Sequence, residues 1–85
     1  MKFGLFYLPT YLPDARSITT HFDNIVEQVV FADKIGLDHV WMVEHHFVRH
    51  GGLCAATYPF LSYLAARTSR IRLGTGATVL PLNDP

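Results

Sequence analysis

The sequence predicts an α/β chain of strand–helix–strand–helix–strand order, built on a parallel sheet. Short, almost wholly apolar runs recur at residues 3–8, 39–43 and 71–79. Between them lie two segments whose apolar residues follow i, i+3, i+4 spacing, and the changes of period fall at prolines and glycines. Strands that alternate with helices argue for right-handed βαβ units.

The first run, residues 3–8, ends at Pro9 and reads as a strand buried on both faces. Residues 9–19 contain Pro9, Pro13, Asp14 and Ser17, so they form a loop. Thr20 is expected to cap a helix, with Asp23 in its first turn favourably placed against the helix dipole. Phe22, Ile25, Val26, Val29 and Ala32 then share one helical face. The β-branched residues on that face lower helix propensity, so packing must hold the helix. Lys34 sits in the last turn and Gly36 is the natural cap.

Residues 39–43 make the second strand, and residues 44–57 a longer loop carrying Gly51-Gly52. Pro59 suits the first turn of a second helix, where Leu61, Leu64, Ala65 and Thr68 mark one face. The third strand spans residues 71–79 and is closed by Pro81.

About half of the 85 residues are apolar and only 16% are charged. A chain of this size buries roughly 60–65% of its unfolded surface. The richness in core-forming residues therefore suggests a chain covered on several faces. Three strands cannot close a barrel, which needs about 250 residues in its eight-fold form. The chain is either a small open sheet or the first part of something larger.

Seven basic residues balance seven acidic ones, so the charge points to neither nucleic acid nor a membrane surface. Arg67, Arg70 and Arg72 read as a solvated helix–strand junction. Cys54 is the single cysteine: no internal disulfide forms, a structural role is expected, and a reducing compartment fits. Met1-Lys2-Phe3 runs straight into a strand with no apolar leader, and no run is long enough to span a bilayer. A cytoplasmic location is expected.

Glu44-His45-His46 directly follows the second run. A strand's C-terminal end is where α/β folds place chemistry, and histidine is the side chain most readily poised for proton transfer near neutral pH. On residues alone, the run reads first as loop residues making ordinary hydrogen bonds. A metal reading is poor. Adjacent histidines on an extended segment diverge, and His46-Phe47-Val48-Arg49-His50 has Phe47 where a metalloprotease helix needs Glu. Gly74-Thr75-Gly76-Ala77 falls short of a dinucleotide loop, because Val79 occupies the last glycine position. Phe6, Tyr11 and Trp41 read first as core and second as walls of an apolar substrate pocket.

Four segments together carry a family resemblance: Met1-Lys2-Phe3-Gly4-Leu5-Phe6; Gly36-Leu37-Asp38-His39-Val40-Trp41; Glu44-His45-His46-Phe47 with Gly51; and Leu64-Ala65-Ala66-Arg67-Thr68-Ser69-Arg70-Ile71-Arg72-Leu73-Gly74-Thr75-Gly76 with Leu80-Pro81. In this order and spacing the chain resembles the N-terminal part of the bacterial luciferase-like, flavin-dependent monooxygenases. The resemblance implies a β-α-β-α-β fragment, the first three strands of a TIM-type (β/α)8 barrel. Residues 1–85 would be the N-terminal portion of one incomplete barrel domain.

It further implies reduced FMN supplied by a flavin reductase, or a deazaflavin coenzyme in one branch, with O2 and a small organic substrate. Association as a homo- or heterodimer is also implied. By resemblance His45 lies beside the flavin and supports oxygen chemistry, work in which a general acid or base contributes about 10²–10⁴-fold. His46 would orient the loop and Glu44 would fix a ring tautomer, both beside the cofactor.

The resemblance also implies a non-proline cis peptide beneath the flavin at the end of the third strand, here Gly76-Ala77. Such a bond costs about 3–4 kcal/mol and is usually found at functional sites. Equally, these small residues simply let a strand pack closely. Alone, the 85-residue chain is expected to bind flavin poorly and to be inactive. A non-catalytic subunit of the family, or a remnant without enzymatic role, is the alternative.

Overall fold

The computed structural model describes residues 1–48, 51 and 53–84. His50 of the metal spacing and Gly52 of the glycine pair lie outside them. Strands β1 (Gly4–Tyr7), β2 (His39–Val43) and β3 (Arg72–Ala77) form one parallel sheet in the order β1–β2–β3. Helices α1 (Ile18–Ile35) and α2 (Thr57–Arg67) connect them. A short 3-10 turn, Leu80–Leu82, follows β3.

Helix α1 is capped three residues earlier than expected, at Ser17. Ser17 has extended backbone, and its side-chain oxygen accepts the Thr20 N–H at 3.1 Å, satisfying one of the orphan donors of the first turn. Thr20 is therefore inside the helix, and no acidic residue lies in the first turn. At the other end Gly36 adopts φ 93°, which a side chain would strain. Its N–H reaches Asp33 O, and the Leu37 N–H reaches Ala32 O at 3.0 Å, the paired closure of a Schellman end.

Both helices cover the same face of the sheet. Ile25, Val26, Val29 and Ala32 of α1 and Leu61 and Leu64 of α2 pack with Val40, Met42 and Ile71, and Leu5, Tyr7 and Leu73 join them from the strands. Val29, Val40, Met42 and Leu64 are completely buried. Each such side chain contributes about 1.5–3 kcal/mol on burial. Helix α2 begins at Thr57, with Pro59 in its first turn; Ala65 is exposed, so the expected face narrows to Leu61 and Leu64, with Thr68 half-buried.

Within these 85 residues the opposite face is uncovered, so the first strand, expected to be buried on both sides, is covered on one. Gly4 and Phe6 of β1, Trp41 of β2 and Arg72 of β3 are exposed there. The strand's apolar character is real, but only the Leu5 and Tyr7 side meets the helices.

The turn from α2 into β3 is pinned to α1 by Asp33. Its carboxylate accepts the N–H groups of Ser69 at 2.8 Å, Arg70 at 3.1 Å and Ile71 at 2.8 Å. Those hydrogen bonds hold the Asp33 carboxyl below the usual carboxylate range, Ser69 and Ile71 chief among them. The Arg70 guanidinium donates to the Asp33 and Leu37 carbonyls at the end of α1. The arginine junction is exposed as expected, yet Arg70 is engaged as a second clamp on α1.

Candidate functional site

The C-terminal ends of the strands carry Glu44, which is only 3% exposed. A carboxylate buried this far needs donors on both oxygens. His46 Nε2 lies 2.6 Å from Oε1, the Val79 N–H donates to Oε2 at 3.2 Å, and Asn83 Nδ2 sits 3.1 Å from each oxygen. The hydrogen bond from His46 is the largest influence holding the Glu44 carboxyl below its usual range, with Asn83 and Val79 adding to it against the cost of burial. The Glu44–His46 contact spans only two residues, and the next residue, Phe47, takes φ 60°. A non-glycine residue in that region is uncommon and marks a tightly bent loop.

His45 stands between these two partners. Among the described residues its ring has no hydrogen bond, while its backbone N–H reaches Cys54 O at 3.4 Å. It is half-buried. The three residues of the run thus divide: Glu44 and His46 hold each other, and the His45 ring has no partner among the described residues. The ring that Glu44 touches is that of His46.

The uncovered sheet face adjoins these strand ends. It presents Phe6 and Trp41 over the glycines of β3. A Cβ on Gly74 would lie 2.5 Å from Trp41 Cζ3, and one on Gly76 would lie 3.0 Å from Phe6 Cε2 and 3.1 Å from Val43 Cγ1. Gly76 is also the odd residue in the ladder, because Met42 pairs Thr75 while Val43 pairs Ala77. Such a bulge in a parallel pair is rare, and glycine suits it.

The Gly76–Ala77 peptide is trans, as are the peptide bonds throughout the described residues. This corrects the cis bond implied by resemblance. Trans is the lower-energy isomer by about 3–4 kcal/mol, and the local irregularity is taken up by the bulge. Close packing is what the glycines visibly serve.

Trp41 and Phe6 are not core here, being 44% and 63% exposed. Tyr11 is half-buried and lines a cavity of about 290 Å³ with Pro13, Val48 and Leu53. A larger apolar cavity of about 490 Å³ lies between α1, α2 and residues 53–56, lined by Phe22, Phe60 and Tyr63. Cys54 borders it as a buried free thiol whose pKa burial pushes up, which fits a structural role. The Asp33, Asn83 and Val79 contacts were not foreseen. Asn83 lies 39 residues from Glu44 in the chain, and only the rule that a buried carboxylate needs donors pointed toward such a partner.

This sheet has counterparts among known proteins. A family model described as luciferase-like monooxygenase matches residues 1–85, and the chain belongs to that family. The alkanal monooxygenase alpha chain of Photorhabdus laumondii is 39% identical over 85 residues, covering 100% of this chain and 23% of that protein. The crystal structure of monooxygenase RslO1 from Streptomyces bottropensis superposes with TM-score 0.86 at 42% identity, over 92% of this chain and 24% of that one. The oxygenating constituent of 3,6-diketocamphane monooxygenase from Pseudomonas putida, solved in complex with FMN, gives TM-score 0.85 at 27% identity, over 100% of this chain and 23% of that one. The chain therefore spans about a quarter of the length of the relatives it matches, and its fold is the β-α-β-α-β portion of a TIM-type barrel. Among the described residues no helix is long and apolar enough to cross a membrane.

Proposed function

We propose that residues 1–85 form the N-terminal portion of a single barrel domain in a flavin-dependent monooxygenase, which uses reduced FMN and O2 on a small organic substrate. The observation that carries this reading is the division at the end of β2: Glu44 and His46 are spent on each other, while the His45 ring makes no hydrogen bond among the described residues.

The residues present fit the flat ring of a flavin. Phe6 and Trp41 offer aromatic surface, and the missing side chains of Gly74 and Gly76 keep it shallow. They offer little for a phosphate. Among the described residues Arg16 is the one arginine or lysine on the loops leaving the strands' C-terminal ends, and barrels of this kind hold phosphate on the loops after strands seven and eight. When bound, reduced flavin would supply the electrons that activate O2. His45 would hold or move a proton beside it. Gly76 and Ala77 would lie beneath the ring, and Glu44 and His46 would set the shape of the loop.

A separate flavin reductase would supply the reduced cofactor; the oxygenating constituent among the structural neighbours is itself one part of a larger system. Association as a homo- or heterodimer and a cytoplasmic location belong to the same reading. A deazaflavin in place of FMN remains the alternative cofactor.

The test is a titration of this chain and of the longer protein with reduced FMN, followed by fluorescence and stopped-flow oxidation. The reading expects binding by the longer protein only. It also expects that His45→Ala there slows productive oxidation by about 10²–10⁴-fold while FMN affinity holds. Failure of the longer protein to bind reduced FMN would sink the FMN assignment, and an unchanged rate in His45→Ala would remove His45 from the chemistry.

A further inference from the structure

We propose that Asn83 is a positioning residue for the site, acting through Glu44 on His46; the consequence for His45 rests on the flavin reading above. Its amide nitrogen lies 3.1 Å from both Glu44 oxygens and 2.9 Å from Val79 O. An amide NH2 has two hydrogens. One is shared across the carboxylate and the other is fixed by Val79 O, so the group is held from behind as it donates forward.

The Asn83 backbone is itself held, since its N–H donates to Leu80 O at 3.1 Å across the 3-10 turn. Turn, amide and carboxylate therefore form a rigid strut from the segment after β3 to the end of β2. With the Val79 N–H on Oε2 and His46 on Oε1, the strut completes the donors of a buried charge. The side chain is used in full as a neutral double donor. Aspartate, nearly the same shape, would face Glu44 with like charge, and glutamine would be one methylene too long for both contacts.

The charged and titratable groups facing this carboxylate are few. His46 is its partner, and Cys54 is near enough that the Glu44 charge helps to raise its pKa. Neither replaces the amide. Loss of Asn83 frees Glu44 to rotate, and His46 and the bent residue Phe47 move with it. His45 lies inside that bend.

The experiment compares wild type, Asn83→Ala and Asn83→Asp in the full-length protein, with 15N-labelled histidine. Three quantities are read: the His46 ring nitrogen signals, the dissociation constant of reduced FMN, and the rate at which bound reduced FMN is oxidised by O2 without substrate. The expected result is a shifted His46 signal in both variants, larger in Asn83→Asp. FMN affinity should stay within about twofold, and the oxidation rate should change by about tenfold, as befits a group displaced by less than 1 Å.

Unchanged His46 signals would overturn the proposal, as would FMN affinity falling in step with the rate, which would make Asn83 a cofactor contact. If Asn83→Asp fails to fold, Asn83→Ala decides by the same signals. If wild type does not oxidise reduced FMN, the flavin reading fails, while the His46 signals still decide whether Asn83 holds Glu44.

Discussion

Gly74→Ala tests whether the shallow aromatic face depends on the absence of a side chain in β3. The new Cβ would stand 2.5 Å from Trp41 Cζ3 and 2.7 Å from Cε3. Non-bonded carbons sit best at about 3.5–4.0 Å, so the indole must retreat by about 1 Å. Trp41 is 44% exposed, with no element of the described residues above it, and in this chain it can swing instead of pushing the strands apart. The cost should then fall at the low end of the overpacking range, about 1 kcal/mol. Trp41 is the only tryptophan of the chain, so its emission reports the movement directly. The variant should unfold at lower urea, emit further to the red and be quenched more readily by acrylamide. In the longer protein it should also weaken FMN binding, because the displaced ring enters the space a flavin would take. Unchanged emission together with an unchanged urea midpoint would refute the argument that Gly74 is small for the sake of Trp41.

Two further outcomes concern the scaffold. Leu64 is completely buried between α2 and the sheet, so Leu64→Ala should cost about 2–5 kcal/mol by urea unfolding; a loss below about 1 kcal/mol would show that the core is not centred there. Asp33→Asn should change the acid limb of stability. Because the folded carboxyl lies below its ordinary value of 3.8, its contribution is complete above that value and is lost as pH falls through the lower folded value. The Asn variant should be less stable at neutral pH and show a shallower loss on acidification; parallel wild-type and variant curves between pH 7 and 2 would exclude this role.

Much of the scaffold was legible in the chain, because it rests on periodicity. The second strand falls on residues 39–43 as read, and Ile25, Val26, Val29 and Ala32 are buried as their spacing required. The first helix was misplaced at its start because Ser17 and Thr20 are both capable caps, and only geometry shows Ser17 accepting the Thr20 N–H. The first strand was over-buried in the reading because an apolar run does not say which face a partner will cover. The site was legible only in part. Glu44-His45-His46 announced itself by residue type, but the division into a held pair and a free ring depends on Val79 and Asn83, which meet Glu44 through the sheet's topology. Asp33 had no signal at all, since three backbone N–H donors leave no trace in side-chain identity.

The two buried or bridging carboxylates serve one end of the sheet each. Asp33 ties the turn entering β3 to the end of α1, and Glu44 ties the turn leaving β3 to the end of β2. Strand β3 otherwise contributes few large side chains, with glycine at two of its six positions. Leu73 packs the strand onto the core on one side, and on the other Gly74 and Gly76 leave it flat beneath Phe6 and Trp41. Both carboxyls are held below their usual range, so both clamps strengthen above the ordinary carboxylate values and fail together in acid. The flatness of the face and the fixed geometry of the Glu44 loop thus belong to one arrangement: charge fixed at the ends of a strand that presents two glycines beneath Phe6 and Trp41.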